Sequence, residues 1–106
     1  MRVIFDQGTP APLRHLRRSH EVSTAYELGW STLKNGELLA AAESGAFEVL
    51  VTTVSNLKYQ QNLASRSIAI VVLSTTSWPR IKAAGELVAS AVGAASPSTY
   101  SEVTIP

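Results

Sequence analysis

Residues 67–73, SIAIVVL, form the most apolar run in the chain. A continuous apolar run of this length is typical of a β-strand that is buried on both faces. Strands of that kind belong to parallel sheets, whose two faces are covered by helices. The run therefore predicts an α/β protein in which other segments supply the covering helices and the neighbouring strands.

The segments on either side of this run alternate between strand and helix patterns. Further strands are predicted at 2–5, 20–23 and 47–51, and the alternating tail 99–105 is typical of an edge strand. Helices are predicted at 10–18, 25–28, 36–44, through Leu57 and Leu63, and at 78–92. This order predicts a three-layer α/β/α domain with a mainly parallel sheet of four to five strands and right-handed crossovers.

Residues that favour helix ends bound these predicted helices. Thr9 is a predicted N-cap because Pro10 follows it at the first helical position. Thr24 and Glu27 have the spacing of a capping box for the short helix at 25–28. The remaining predicted caps are Asn35 and Ser77 at helix starts and Gly29, Gly45 and Gly93 at helix ends.

Composition narrows the class of protein. A chain of 106 residues predicts one domain, 1–106, and the absence of cysteine excludes disulfides, thiolate metal sites and a cysteine nucleophile. The sequence shows neither a signal-peptide pattern nor an apolar run near the roughly 20 residues of a membrane span, so we expect a cytoplasmic protein without a membrane partner. A net charge of +1 does not favour a protein that coats nucleic acid.

Polar side chains follow two of the predicted strands. Asp6 comes directly after the first strand, and Thr52, Thr53, Ser55 and Asn56 follow the strand at 47–51. Ligands of parallel α/β proteins bind at the carboxyl ends of the strands, so these residues form the candidate site.

Three familiar α/β sites do not fit these residues. A receiver-type phosphoacceptor domain would have a second acid beside Asp6 and an aspartate after the third strand, where the chain has Gln7 and the pair Thr52–Thr53. A dinucleotide-binding fold would have a glycine-rich turn in place of DQGTPAP. A Ser-His-acid hydrolase would have a nucleophile-elbow motif, which the sequence lacks.

The strings VIFDQGTPAPLRHLRRSHEV and AYELGWSTLKNGELLAAAESGAFEVLVTTVSNL resemble the small PIN-like proteins grouped as domain of unknown function family 5615. Typical members open with a hydrophobic strand and (F/L)D(Q/E)N(V/L)P, followed by a leucine-arginine helix and GH(E/D)V. They continue with ELGW, a D/NGELL helix and a strand that ends in TTDxNL. The resemblance covers nearly the whole chain, and it is the order and spacing of these short motifs that make it specific.

The resemblance implies a PIN-type fold in which acids at strand ends hold divalent cations. PIN domains are typically Mg²⁺- or Mn²⁺-dependent ribonucleases, and many small ones are toxins of bacterial toxin–antitoxin pairs. We therefore expect RNA rather than DNA as substrate, a cognate antitoxin as protein partner, and a homodimer as an open alternative to the monomer.

Asp6 and Glu37 are the predicted catalytic and metal-binding residues, because Mg²⁺ prefers oxygen ligands and both positions match acids of the family pattern. Each also has a structural explanation. Asp6 could cap the helix that begins near Thr9, and Glu37 in a helix's first turn is favoured by the helix dipole.

The family's next acid, the aspartate of TTDxNL, is replaced by Val54. A valine side chain neither binds a metal nor accepts a proton. Position 8 also departs from the pattern, with Gly8 in place of the usual asparagine. These two departures predict a weakened metal site. The alternative is a catalytically inactive PIN-like binding protein that retains the fold and the partner interface.

Neutral and basic side chains complete the predicted site. Substrate binding is assigned to Thr52, Thr53, Ser55, Asn56, Lys34 and Lys58. The spacing of Arg14, Arg17 and Arg18 places them on one helix face, which either contacts RNA phosphates or an acidic antitoxin segment, or is simply solvated.

Overall fold

The computed structural model of the protein describes residues 2–6, 9, 21–30, 32–33, 35–53 and 67–106. The helices predicted at 10–18 and through Leu57 and Leu63 lie outside the described residues, as do Val54 and the arginines of the first predicted helix.

The described part of the chain contains a five-stranded sheet in which every pair of neighbouring strands is parallel. The strands are β1 (Arg2–Phe5), β2 (Glu21–Thr24), β3 (Val49–Thr52), β4 (Ala69–Leu73) and β5 (Tyr100–Val103). Their order across the sheet is β2-β1-β3-β4-β5. The apolar run predicted to be a buried strand contains β4, which lies between β3 and β5 and is buried at all five positions. The prediction of an α/β fold with a parallel sheet is confirmed.

Three helices are present among the described residues, namely α1 (Asn35–Ser44), α2 (Trp78–Ala83) and α3 (Gly85–Gly93). Successive residues of a strand point to opposite faces of the sheet. Val3 and Phe5 accordingly belong to one apolar cluster, and Ile4 belongs to the other. The first cluster includes Ile81 and Val88 of α2 and α3. The second includes Leu38, Leu39 and Ala42 of α1, so the described helices cover both faces of the sheet.

Two predicted helices differ from the structure. The helix predicted at 78–92 is interrupted at Ala84, whose backbone N–H lies 3.2 Å from the Arg80 carbonyl and 3.1 Å from the Ile81 carbonyl. The short helix predicted at 25–28 is a turn, although the predicted capping-box hydrogen bonds form. Four residues form too few hydrogen bonds to offset the cost of helix nucleation.

Among the helices of the described residues, none has the length and apolar character that would let it cross a membrane.

Candidate functional site

The carboxyl ends of β1 and β3 meet in the middle of the sheet. From β1 the chain proceeds to β2 on one side, and the next strand in sequence, β3, lies on the other side. The order of connections reverses at this point, and open α/β sheets bind their ligands in the crevice that such a reversal creates. Asp6 follows β1 directly and Thr52 is the last residue of β3, so both lie at this switch point.

Asp6 is a buried carboxylate at the switch point, with 8% of its surface exposed. Its backbone N–H donates to the Val51 carbonyl at 3.1 Å and so extends the pairing of β1 with β3 by one residue. Its Oδ1 accepts a hydrogen bond from the Thr9 hydroxyl at 2.7 Å, and its Oδ2 accepts one from the Thr52 hydroxyl. Both carboxylate oxygens therefore have a hydroxyl donor within the protein.

Thr9 connects this carboxylate to the neighbouring strand. Its hydroxyl lies 2.9 Å from the Val51 carbonyl as well as 2.7 Å from Asp6, and its backbone N–H donates to the Asp6 carbonyl at 3.2 Å. A hydroxyl has one proton, so it donates to one of these two acceptors at a time. The helix that Thr9 was predicted to cap lies outside the described residues, and in its described contacts the Thr9 hydroxyl faces the carboxylate. The sequence signal for this role is the three-residue spacing from Asp6, which a tight turn requires.

Two further predicted site residues, Glu37 and Thr53, lie among the described residues. Glu37 lies in the first turn of α1, and its side chain is exposed. The chain leaves β2 at the carboxyl ends of the strands and enters β3 at their amino ends. Helix α1 lies between these two strands in sequence, so its first turn is on the same side of the sheet as Asp6. Thr53 is half-buried and lines a cavity farther along this edge. Lys34, Ser55, Asn56 and Lys58 lie outside the described residues.

The described donors suit one hard cation rather than two. Asp6 supplies a carboxylate, and the hydroxyls of Thr9 and Thr52 supply neutral oxygens. Mg²⁺ is typically held by one or two carboxylates and completed by waters and substrate phosphates. Within the described ranges, no three acidic or histidine side chains come close enough to hold a metal ion together. The described donor set at the switch point is therefore one carboxylate and two hydroxyl oxygens.

Glu102 is a further acid on the same edge, and the sequence analysis did not single it out. Thr52 pairs with Val72, and Val72 pairs with Glu102, so these residues form a row across β3, β4 and β5 on one face of the sheet. Strands lie about 4.8 Å apart, which places Glu102 about 10 Å from Thr52 and about 14 Å from Asp6. That separation is too long for Asp6 and Glu102 to share one ion.

A cavity of about 240 Å³ opens beside Glu102 at the ends of β3, β4 and β5. Its lining includes the polar residues Thr53, Ser74 and Thr104 in addition to the acid. The hydroxyl oxygen of Ser74 accepts a hydrogen bond from the Ile105 N–H at 2.8 Å. The cavity extends the polar edge of the sheet beyond the switch point. The signal in the sequence was the alternation of the tail strand, which places residue 102 on the face opposite Val103.

Comparisons of the chain with models of known protein families, with curated proteins and with solved structures find no match.

Proposed function

We propose that this protein is a PIN-like toxin component of a bacterial toxin–antitoxin module, acting in the cytoplasm, with a weakened Mg²⁺- or Mn²⁺-dependent endoribonuclease centre on Asp6. The observation that supports the proposal best is the position of the Asp6 carboxylate at the switch point of the sheet, held by the hydroxyls of Thr9 and Thr52. The reaction class is inferred from the motif resemblance. The metal centre is expected to be weak because Val54 stands where the family has an aspartate.

In this proposal each residue has a defined task. Asp6 holds the cation, and Thr9 and Thr52 fix the orientation of its carboxylate. Glu37, at the same edge, is the second acid of the site. A bound divalent cation would activate the attacking water and stabilise the leaving oxygen. Lys34 and Lys58 contact the RNA phosphates, and the cognate antitoxin covers the same edge of the sheet.

A second candidate function is a catalytically inactive PIN-like binding protein. The observation that favours it is the 8% exposure of Asp6 together with the internal hydroxyl partner of each carboxylate oxygen. In that case Asp6 joins β1 to β3 as a structural residue, and the replacement of the family aspartate by Val54 removed the metal site altogether.

A thermal melt with and without millimolar Mn²⁺ separates the two candidates. A ligand stabilises the folded state by RT ln(1 + [L]/Kd), so a free Mn²⁺ concentration equal to Kd raises the stability by about 0.4 kcal/mol, or roughly 2 °C in Tm. We expect such a rise in wild type, none in Asp6→Asn, and a larger one in Val54→Asp. Glu86→Gln, an exposed acid on α3, is the matched control and should keep the wild-type response.

Cleavage of a fluorogenic single-stranded RNA gives the second readout of the same variants. Weak Mn²⁺-dependent cleavage that EDTA and Asp6→Asn abolish would support the nuclease. A rise in Tm that occurs only in Val54→Asp would support the inactive binding protein. If Val54→Asp also fails to respond to Mn²⁺, then the switch-point carboxylate is not a metal site and the proposal is wrong.

A further inference from the structure

An aromatic ring stands in solvent next to the candidate site. Tyr26 is 76% exposed, more than the other exposed large apolar residues of the described chain, Leu28 at 38% and Leu87 at 49%. Tyrosine offers a large rigid face, and its loss of conformational freedom on binding is small because only two torsions are fixed. A ring held this far into solvent contributes little to the core, so its position calls for another explanation.

The turn that carries Tyr26 is fixed on both sides. The Thr24 backbone N–H donates to the Glu27 carboxylate at 3.0 Å, and the Glu27 N–H donates to the Thr24 hydroxyl at 3.1 Å. The Gly29 N–H donates to the Tyr26 carbonyl at 3.1 Å, and Gly29 has a φ of 76°, which glycine adopts readily. The backbone therefore presents the ring in a defined place.

The same turn is joined to the strand that ends at Asp6. Thr24 pairs with Phe5 across β2 and β1, and the Ala25 N–H donates to the Phe5 carbonyl at 2.8 Å. Ala25, which is 1% exposed, is therefore the neighbour of Asp6 at one strand spacing of about 4.8 Å. Tyr26 is the next residue along the chain, so its backbone lies beside the switch point, and its side chain is exposed to solvent.

We propose that Tyr26 is a stacking platform for a nucleobase of single-stranded RNA that binds at the switch-point crevice. This inference rests on the proposed function and adds a substrate-positioning residue to it. Base stacking on an aromatic side chain is tolerant of sequence because every base has a π-face, and it needs an exposed ring. Among the described residues, the acids closest in the fold to Tyr26 are Asp6 and Glu27, and carboxylates suit an uncharged base at this position better than a phosphate.

A protein partner is the less favoured occupant of this surface. Specific protein interfaces cover about 800 Å² on each partner. The exposed apolar residues of the turn are Tyr26 and the half-exposed Leu28, with the charged Glu27 between them. One ring of this size matches one base, whereas a protein interface would need a broader apolar surface.

Fluorescence anisotropy tests the proposal with two labelled oligomers of equal length, a mixed-sequence single-stranded RNA and its abasic counterpart, both measured without divalent metal. We expect Tyr26→Ala to weaken RNA binding about tenfold and to leave binding of the abasic oligomer unchanged. Tyr26→Phe retains the ring and should bind RNA as wild type does. Leu28→Ala removes a neighbouring apolar side chain and should also bind RNA normally. A Tm equal to that of wild type shows that a variant is folded.

Several outcomes would overturn the proposal. They are equal RNA affinity of Tyr26→Ala and wild type, equal affinity of wild type for RNA and the abasic oligomer, and no RNA binding at all. An oligomer that dissociates in Tyr26→Ala and Leu28→Ala, with RNA binding unchanged, would assign the turn to a protein contact instead.

The metal-free design separates this inference from the proposed nuclease. A Tyr26-dependent preference for bases without any Mn²⁺ response would keep the stacking platform and reject the nuclease. If Tyr26→Ala retains both the Mn²⁺-dependent cleavage and the RNA affinity of wild type, the nuclease is supported and the stacking platform is rejected.

Discussion

The carboxylate of Asp6 accepts hydrogen bonds from the hydroxyls of two neighbouring threonines. Burying a charged group is costly unless hydrogen bonds replace its lost water. Thr52, which is fully buried, and Thr9, which is 5% exposed, supply those hydrogen bonds. The same two hydroxyls therefore stabilise the fold and set the direction of the carboxylate at the switch point.

We predict that Thr52→Val lowers the free energy of unfolding by about 1–3 kcal/mol, because it removes a donor from a buried acceptor while nearly preserving the side-chain volume. Thr52→Ser keeps the hydroxyl and should lose less stability. Equilibrium urea denaturation measures both. A Thr52→Val variant as stable as wild type would show that the hydrogen bond to Asp6 contributes no net stability.

At the residue scale, the sequence located part of this site. An acid directly after an apolar strand is a visible pattern, so Asp6 was predicted. The contact between Asp6 and Thr52 depends on which strands are neighbours, and the pattern of apolar residues does not define strand order. Tyr26 was not singled out, because the sequence of so short a segment does not define which of its side chains face solvent.

At the element scale, the carboxyl end of α1 shows how several weak signals combine. The Phe47 N–H donates to the Ala42 carbonyl and the Ala46 N–H donates to the Glu43 carbonyl, both at 3.0 Å, which is the pattern of a Schellman cap. Ala46 occupies its left-handed position with a φ of 62°.

The guanidinium of Arg2 completes this helix end from a neighbouring strand. It donates to the Gly45 carbonyl and lies 4.3 Å from the centre of the Phe47 ring. Its positive charge complements the carboxyl end of α1, whose own last turn contains no basic residue. The end of the helix therefore depends on a residue more than forty positions away in the chain.

We predict that Ala46→Gly raises the free energy of unfolding by about 0.5–1 kcal/mol. An L-residue in the left-handed region costs roughly 1–2 kcal/mol, and glycine avoids that cost while losing some backbone entropy on folding. Ala40→Gly, at an exposed position within α1, is the matched control and should lower stability by about 1 kcal/mol. Urea denaturation of the two variants should give shifts of opposite sign, and shifts of the same sign would contradict this account of the cap.

The sequence predicted the end of α1 at the right place but for an incomplete reason. Gly45 was expected to end the helix, and the residue in the left-handed region is the next one, Ala46. A Cβ atom at Gly45 would lie 3.1 Å from the Phe47 ring, so the close approach of that ring explains the glycine. The break between α2 and α3 has a sequence signal as well, since Gly85 follows Ala84 and glycine within a helix costs about 1 kcal/mol.

At the scale of the whole molecule, one sheet divides the described core into two apolar clusters. Each cluster has one of the two tryptophans of the chain against it, with Trp78 on the face of α2 and α3 and Trp30 on the face of α1. Trp30 also meets Phe47 edge-to-face, with ring centroids 6.2 Å apart. Fluorescence of each tryptophan therefore reports on one face of the sheet.

We predict that the two faces unfold together. Val3 and Phe5 pack in one cluster and Ile4 packs in the other, so both clusters depend on the same strand. Loss of packing on one face therefore destabilises the strand that the other face needs. In the single-tryptophan variants Trp30→Phe and Trp78→Phe, urea unfolding followed by fluorescence should coincide with unfolding followed by far-UV circular dichroism in the same variant, as two-state behaviour requires. A fluorescence transition that precedes the circular dichroism transition in only one variant would show that one face opens first. The helix on that face would then be a separate cooperative unit.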